Sequence, residues 1–400
     1  MFVGQDAEAP QKQAGDRIID CEGTIVMPGL VNAHTHTGMT CMRNLLEDVN
    51  STTWFQREQQ AEAMLDKDDF YWAAKVGAYE MLRQGVTTCA DRFSFMDILA
   101  KGLEDTGIRA VLGESIVDAD ADRRKGITVS LLEKFGTDPA QSLLSVGIAP
   151  VGPDSSGSDL LTWCGQVAED YQASIFLHVA QSQQEQAVVR KRGYRNSVQY
   201  LKELGLLSER LVAAHCIYVD DEDIELLAEQ GVRVAHCPAS NIKIEGRTID
   251  LCHYLDQGIT VGLGTDCATS NNAMDMFEEM KTAGLAQKQK HQNPELMPVS
   301  QLIELATIGS ARCLGMDEIV GSLEVGKRAD VIMLQHDAVH LQPWHSVLAG
   351  LVYAARGLDV SAVWVNGVQR VEGGQLLDDG YREALCHAQK WQEKLSGINN

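Results

Sequence analysis

The sequence predicts a parallel (β/α)8 barrel of the TIM type, with a small β-sandwich-like domain assembled from both chain ends. Three observations predict it. Eight short apolar, β-branched runs follow one another along the chain, and amphipathic helical patterns separate most of them. His34, His36, His178, His215 and Asp266 stand at or near the C-terminal ends of four of those runs. Both flanks carry further strand patterns outside any β-helix unit. At 400 residues the chain suits one such barrel plus a minor domain.

The barrel strands are expected at Leu30–His34, Thr87–Asp91, Ala110–Gly113, Ser145–Ala149, Ser174–His178, Leu211–His215, Val232–His236 and Thr260–Gly264. Phe70–Gln84 and Asp220–Gln230 space their apolar residues as helices do, and each stops at a glycine, Gly85 and Gly231. Asp275–Gln289 reads as a further helix, Met- and Phe-rich on one face. Alternating strand and helix with short turns argues for a parallel α/β structure, and eight units argue for closure. In the flanks, Arg17–Met27, Gly321–Leu334 and Val360–Asn366 are short β-like pieces, and Asn366-Gly367 is a hairpin signal. Residues 1–27 and 319–376 are therefore assigned to the small β-domain and 28–318 to the barrel. Residues 377–400 are assigned to a C-terminal helix, centred on Tyr381–Leu395.

A formal charge of −22 excludes a phosphate-backbone partner, so no nucleic acid is expected. No apolar run reaches membrane-spanning length, and Met1-Phe2-Val3-Gly4-Gln5-Asp6 lacks a secretory signal, so no membrane partner and a cytoplasmic location are expected. Ten cysteines without a C-x-x-C pair read as reduced, mostly buried thiols. Cys216 and Cys237 follow histidines, and strand alternation turns them away from the imidazoles.

The strand-end residues carry the chemistry. His34 and His36 are two apart, so on a strand they point to one side and can hold one ion together. Strand ends of a parallel barrel converge on one face. Imidazoles and a carboxylate gathered there suit a divalent metal with an open position for water. Asp266 would bind the metal and accept the proton of that water, or cap the next helix. His236, ending the seventh strand, supports the site from behind or serves the core. The fourth strand, Ala149-Pro150-Val151, offers no lysine for a carbamate bridge, so a single ion is expected.

These residues sit in longer motifs. They are Pro28-Gly29-Leu30-Val31-Asn32-Ala33-His34-Thr35-His36, Ala213-Ala214-His215-Cys216, Val234-Ala235-His236-Cys237-Pro238-Ala239-Ser240-Asn241, Leu263-Gly264-Thr265-Asp266, and Ile319-Val320-Gly321-Ser322-Leu323-Glu324-Val325-Gly326-Lys327. With them the chain resembles the amidohydrolase superfamily from about Ile18 to Leu376. Within it, the chain resembles the branch of S-adenosylhomocysteine/5′-methylthioadenosine deaminases and triazine hydrolases. The resemblance implies one Zn2+ (or Fe2+) held by His34, His36, His178 and Asp266, with His215 orienting the hydrolytic water. It implies attack of metal-bound hydroxide on an electron-poor ring carbon and loss of an amino group. It also implies a homo-oligomer.

Departures from the family pattern bear on function. Relatives carry glutamate three residues after the fifth-strand histidine, where this chain has Gln181. An amide cannot transfer a proton at neutral pH. Glu185 is near in sequence but reads as a surface helix residue. Val151 stands where relatives place a substrate-holding histidine. Glu114 stands where some place a carboxylate-binding arginine, and is expected to repel an anionic tail. Arg123 and Arg124 read as solvated. Trp54 stands where relatives pack an aromatic beside the substrate, with a core or interface role equally open, and Thr37–Lys67 is the candidate lid. The site set is thus His215, Asp266 and Gln181 for catalysis, and Trp54, Glu114, Val151 and Gln181 for substrate.

The leading expectation is a metal-dependent aminohydrolase acting on a small nitrogen heterocycle, such as an adenosine or 5′-methylthioadenosine-type nucleoside or a related base. The alternative is a triazine- or formimino-type C–N or C–Cl hydrolase. A third reading is a ligand-binding homologue impaired at Gln181.

Overall fold

The computed structural model describes Gly4, Glu8, Gln11, residues 13–15 and residues 17–398. Apart from Gly4, the stretch Met1–Asp6, read as lacking a signal, lies outside the described residues, as do other parts of 1–27 and positions 399–400.

The strands in chain order are β1 (Thr24–Pro28), β2 (Leu30–His36), β3 (Val86–Phe93), β4 (Arg109–Ile116), β5 (Leu144–Val146), β6 (Ala149–Pro150), β7 (Ile175–Val179) and β8 (Leu211–His215). They continue with β9 (Arg233–His236), β10 (Val261–Leu263), β11 (Asp266–Cys267), β12 (Val331–Gln335), β13 (Val360–Val365), β14 (Val368–Glu372) and β15 (Gln375–Leu376). From β2 to β5, and from β7 to β10, each strand pairs in parallel with the next. The parallel bridge Ile148↔Ile175 joins the two arcs on one side, and the pairs Asp266↔Thr35 and Cys267↔His36 join them on the other. All eight expected runs are staves of this ring.

Two staves are broken where the sequence reads continuous strand. The fourth splits into β5 and β6 around Gly147, where a Cβ would stand 2.3 Å from the Phe176 ring. The eighth splits into β10 and β11 around Gly264-Thr265; a Cβ on Gly264 would lie 2.9 Å from His34. Asn32 ties this break to β2, its amide donating to Thr265 Oγ1 (2.7 Å) and its carbonyl accepting from Thr265 N (3.0 Å). A register shift there would move His34 relative to Asp266.

Alternation sorts the barrel side chains. Val31, Ala33, Ala90, Val111, Ala149, Phe176, Val212, Ala214 and Ala235 form an inner cluster that the helix Ile308–Leu314 completes with Ala311, Cys313 and Leu314. Leu30, Cys89, Ala110, Leu112, Ile175, Leu177, Leu211 and Ala213 face outward into the larger core beneath the helices. Burial on both faces is why these strands read as continuous apolar runs. The helices start where their caps dictate. Asp66 with Asp69, and Asp220 with Asp223, form capping boxes that open Lys67–Arg83 and Asp221–Glu229.

The chain ends build one antiparallel sheet, in the order β1-β12-β13-β14-β15. Asn366 and Gly367, both at positive φ, turn β13 into β14 with Val365 facing Val368, as the dipeptide demands. Of Arg17–Gly23, read as strand, residues 17–21 are irregular and Glu22-Gly23 form a turn. Asp330, before β12, binds Arg109 of β4 through Nε (3.1 Å) and Nη2 (3.0 Å), and also accepts Asn366 N (2.7 Å). Both side chains are at most 2% exposed. Arg109→Ala strands a buried carboxylate between barrel and sheet. It should cost about 3–5 kcal/mol in denaturant unfolding. The helix Gly380–Lys394 lies against Lys67–Arg83, with Trp391 Nε1 donating to Asp69 (2.9 Å). Among the described residues no helix is long and apolar enough to cross a membrane.

Candidate metal centre

The five strand-end residues meet. His34 and His36 leave β2 on the same side, their rings 4.7 Å apart. The His178 ring from β7 stands 5.1 Å from that of His34, and the His215 ring from β8 stands 5.5 Å from it. Asp266 Oδ1 from β11 lies 3.0 Å from His36 Nε2 and 3.6 Å from His34 Nε2. Ligand atoms of His34, His178, His215 and Asp266 all fall within 4.8 Å of one another. His36 joins them through Asp266.

Hydrogen bonds behind the rings set their tautomers. His36 Nδ1 donates to the Arg92 carbonyl (2.5 Å) and His215 Nδ1 to Asn241 Oδ1 (2.8 Å), while His178 Nδ1 lies between the Val151 carbonyl (2.9 Å) and Arg92 Nη1 (2.7 Å). The Nε2 of His36 and that of His215 therefore carry a lone pair, as a metal ligand must. His34 Nε2 and His215 Nε2 are buried without any hydrogen-bond partner. Burial lowers the pKa of His34 to about 3 and pulls those of His178 and His215 down as well, so the rings are neutral. Burial opposes ionisation of Asp266. The His34, His36 and His215 imidazoles beside it outweigh that burial and hold the carboxyl well below its usual range. Neutral imidazoles around a carboxylate, with orphaned lone pairs, are a donor set that fits a divalent ion.

Asp266 Oδ2 is oriented from the far side by Ser240 Oγ (2.5 Å) and Ser270 Oγ (3.0 Å). Ala180, His215, Cys216 and Asp266 all have positive φ, a costly backbone for residues with a Cβ. Such strain gathers at sites where geometry is dictated from outside the local sequence. Cys216 and Cys237 are buried and burial raises both thiols, so they are inert. His236 is buried with both ring nitrogens unpartnered.

A cavity of about 490 Å³ opens beside the histidines, lined among others by Trp54, Glu58, Arg92, Val151, Gln181 and Asp266. Trp54 reaches it from the helix Ser51–Glu62, inside the expected lid segment, and is 6% exposed. Three expectations need correction. Glu114 does not face the cavity. Along β4, Val111 and Ser115 point inward, so period-two alternation sends Glu114 outward, where it is fully buried and accepts Met96 N (2.7 Å). Arg124 is not solvated. Its side chain is 13% exposed, donates to Ser94 Oγ (3.0 Å) and lines the cavity, whereas Arg123 is 43% exposed. Glu185 is not on the surface. It is 4% exposed, and its carboxylate accepts Ala180 N (2.7 Å), Gln181 N (2.7 Å) and Ser197 Oγ (2.5 Å). Burial raises its pKa to about 7. Both oxygens hold the turn that presents Gln181.

Sequence reasoning passed over Arg92. It lies near the C-terminal end of β3, the same kind of position that marked the histidines, and that was the available signal. Arg92 is 2% exposed, and its Nη1 stands 2.7 Å from His178 Nδ1 and 3.0 Å from Nε2.

A sequence model of the amidohydrolase family matches residues 25–370. The chain is 37% identical to a 5-methylthioadenosine/S-adenosylhomocysteine deaminase of Syntrophobacter fumaroxidans, over 92% of this chain and 85% of that protein. It is 34% identical to a 5′-deoxyadenosine deaminase of Methanosarcina mazei, over 96% of this chain and 89% of that one. An adenosine deaminase structure from Xanthomonas campestris with bound zinc superposes with a TM-score of 0.89 at 31% identity, covering 94% of this chain and 86% of that one. A zinc complex of an atrazine chlorohydrolase from Arthrobacter aurescens superposes with a TM-score of 0.86 at 25% identity, covering 92% and 88%.

Proposed function

The chain belongs to the amidohydrolase family, and from that premise we propose how its site works and on what. It is a hydrolase acting on non-peptide carbon–nitrogen bonds, in a metal-dependent family. Its reaction is release of ammonia from a nitrogen heterocycle of the adenosine or 5′-methylthioadenosine type, or a related base. The observation that carries this reading is the convergence of three imidazoles and Asp266 within 4.8 Å, with two buried imidazole nitrogens unpartnered. Relatives named as deaminases support the leaving group.

His34, His36, His178 and Asp266 hold one divalent ion, zinc by preference for this nitrogen-rich set. Bound there, the ion supplies Lewis acidity that lowers the pKa of a coordinated water. The chain's own groups do the rest. His215, fixed by Asn241, orients the water through Nε2. Asp266 takes the proton of the water as its oxygen bonds to the ring carbon, and returns it to the departing amine. Gln181 hydrogen-bonds the heterocycle without moving a proton. Trp54 packs against the ring, and Val151 borders it. The protein works in the cytoplasm as a homo-oligomer.

Gln181 also favours a second reading. A leaving group that needs no proton, such as chloride on a triazine, is released without an acid. Both readings are separated by loading the protein with Zn2+ and measuring ammonia and chloride release. The panel is adenosine, 5′-methylthioadenosine, S-adenosylhomocysteine, guanine, pterins, cytosine, amino- and chlorotriazines. Ammonia from a nucleoside or base is expected. Chloride release alone selects the second reading, and silence with one ion bound per chain points to a different leaving group or to a site disabled at Gln181.

A further inference from the structure

We propose that Arg92 is a specificity residue of this site, pairing with an exocyclic oxygen on the heterocycle close to the carbon that loses its amine. Within the substrates proposed above, amino-oxo heterocycles are then preferred over plain aminopurines. This rests on the aminohydrolase reading above and narrows it.

The argument is an inventory of donors. Arginine carries five N–H donors and a permanent positive charge. Arg92 is 2% exposed and lines the cavity, and its Nε has no partner. Nη2 has only Ser115 Oγ and the Pro150 carbonyl, both at 3.4 Å, the weak limit of a hydrogen bond. Nη1 lies 2.7 Å from His178 Nδ1, a nitrogen that also lies 2.9 Å from the Val151 carbonyl. Beyond that one nitrogen the ring offers Nη1 only Nε2, the atom assigned to the ion. Among the described residues no carboxylate forms an ion pair with Arg92. Asp266 acts on it at longer range, and Arg124 adds a like charge. A buried cation with so few acceptors is costly until an oxygen arrives. A site built to bind such an oxygen rejects analogues that lack it.

The chemistry gives that oxygen a second use. When the water oxygen bonds to the amine-bearing carbon, the C=N π pair moves to the ring nitrogen. In an amino-oxo ring the pair delocalises further, onto the conjugated oxygen. The guanidinium stabilises the charge there, which Gln181 cannot neutralise by protonation. Collapse restores the C=N bond, breaks the bond to the amine, and the amine leaves with the proton held by Asp266.

The test compares matched pairs in wild type, Arg92→Met and Arg92→Lys. The reacting pairs are cytosine against 4-aminopyrimidine, and isoguanosine against adenosine, read as kcat/KM for ammonia release. The unreactive pair is 2-pyrimidone against pyrimidine, read as Kd by calorimetry. Wild type should favour each oxo member at least about tenfold, the scale of a buried donor left unpaired. Arg92→Met should bring each ratio near one, and Arg92→Lys should fall between. A ratio is insensitive to a general loss of folded protein. A ratio near one in wild type, or unchanged in Arg92→Met, overturns the proposal. An intact binding ratio that Arg92→Met abolishes, with no ammonia from any pair, supports Arg92 and rejects the aminohydrolase reading instead.

Discussion

Replacing Asp266 by asparagine should lower kcat by about 10²- to 10⁴-fold, the worth of a positioned general base. It should also lower the bound metal, counted by elemental analysis of the dialysed protein. The carboxylate has two tasks that one amide cannot perform together. Its Oδ1 faces His36 at 3.0 Å and His34 at 3.6 Å, toward the ion and the water. Its Oδ2 accepts from Ser240 and Ser270. Asparagine offers one carbonyl oxygen, and its nitrogen has no lone pair to give. The backbone does not confuse the result, because Asp266 has φ +59° and asparagine tolerates that region as well as aspartate does. Full activity with full metal content in the variant would remove Asp266 from both roles.

Gln181→Glu should act in the opposite direction. It should raise kcat for amine release by about 10²-fold or more, since it adds a general acid where the site has an amide. The swap is nearly isosteric. The backbone at 181 is held by Glu185 through Gln181 N at 2.7 Å, so the new side chain starts from the same place. A carboxyl lining this cavity, with the Glu185 carboxylate on its own backbone N–H, should titrate above the usual carboxylate range. The pH–rate profile should therefore gain a limb near neutrality. An unchanged rate and profile would mean that Asp266 alone already moves every proton the reaction needs. Chloride release, which needs no acid, should not share the gain.

Both variants rest on positions visible in the primary structure. His34 and His36 lie two apart, and a strand of period two puts them on one face whatever surrounds it. Apolar runs marked the staves because parallel strands buried on both sides exclude polar residues. Asn366-Gly367 marked a hairpin because its two central residues must take positive φ. Gly85 and Gly231, at φ +86° and +67°, marked helix ends for the same reason. These features are local. Each depends on a few neighbouring residues and survives without knowledge of the rest of the chain.

What sequence could not decide depended on residues far away in the chain. Glu114 faces outward because β4 runs on past Gly113 and pairs with β3, with Phe93 opposite Glu114. Glu185 is buried because the turn after β7 and Ser197 close over it, which helix periodicity alone does not foretell. The staves break at Gly147 and Gly264 because Phe176 and His34 press on them from neighbouring strands. Arg92 is one charged residue in a buried strand until the fold sets it beside His178 with its Nε unpartnered. The sequence by itself determined the barrel and the residues that converge at its mouth, because secondary structure and sidedness follow from local periodicity. Only the tertiary structure decided which charges enter the cavity, because that depends on strand register and on partners dozens to hundreds of residues away.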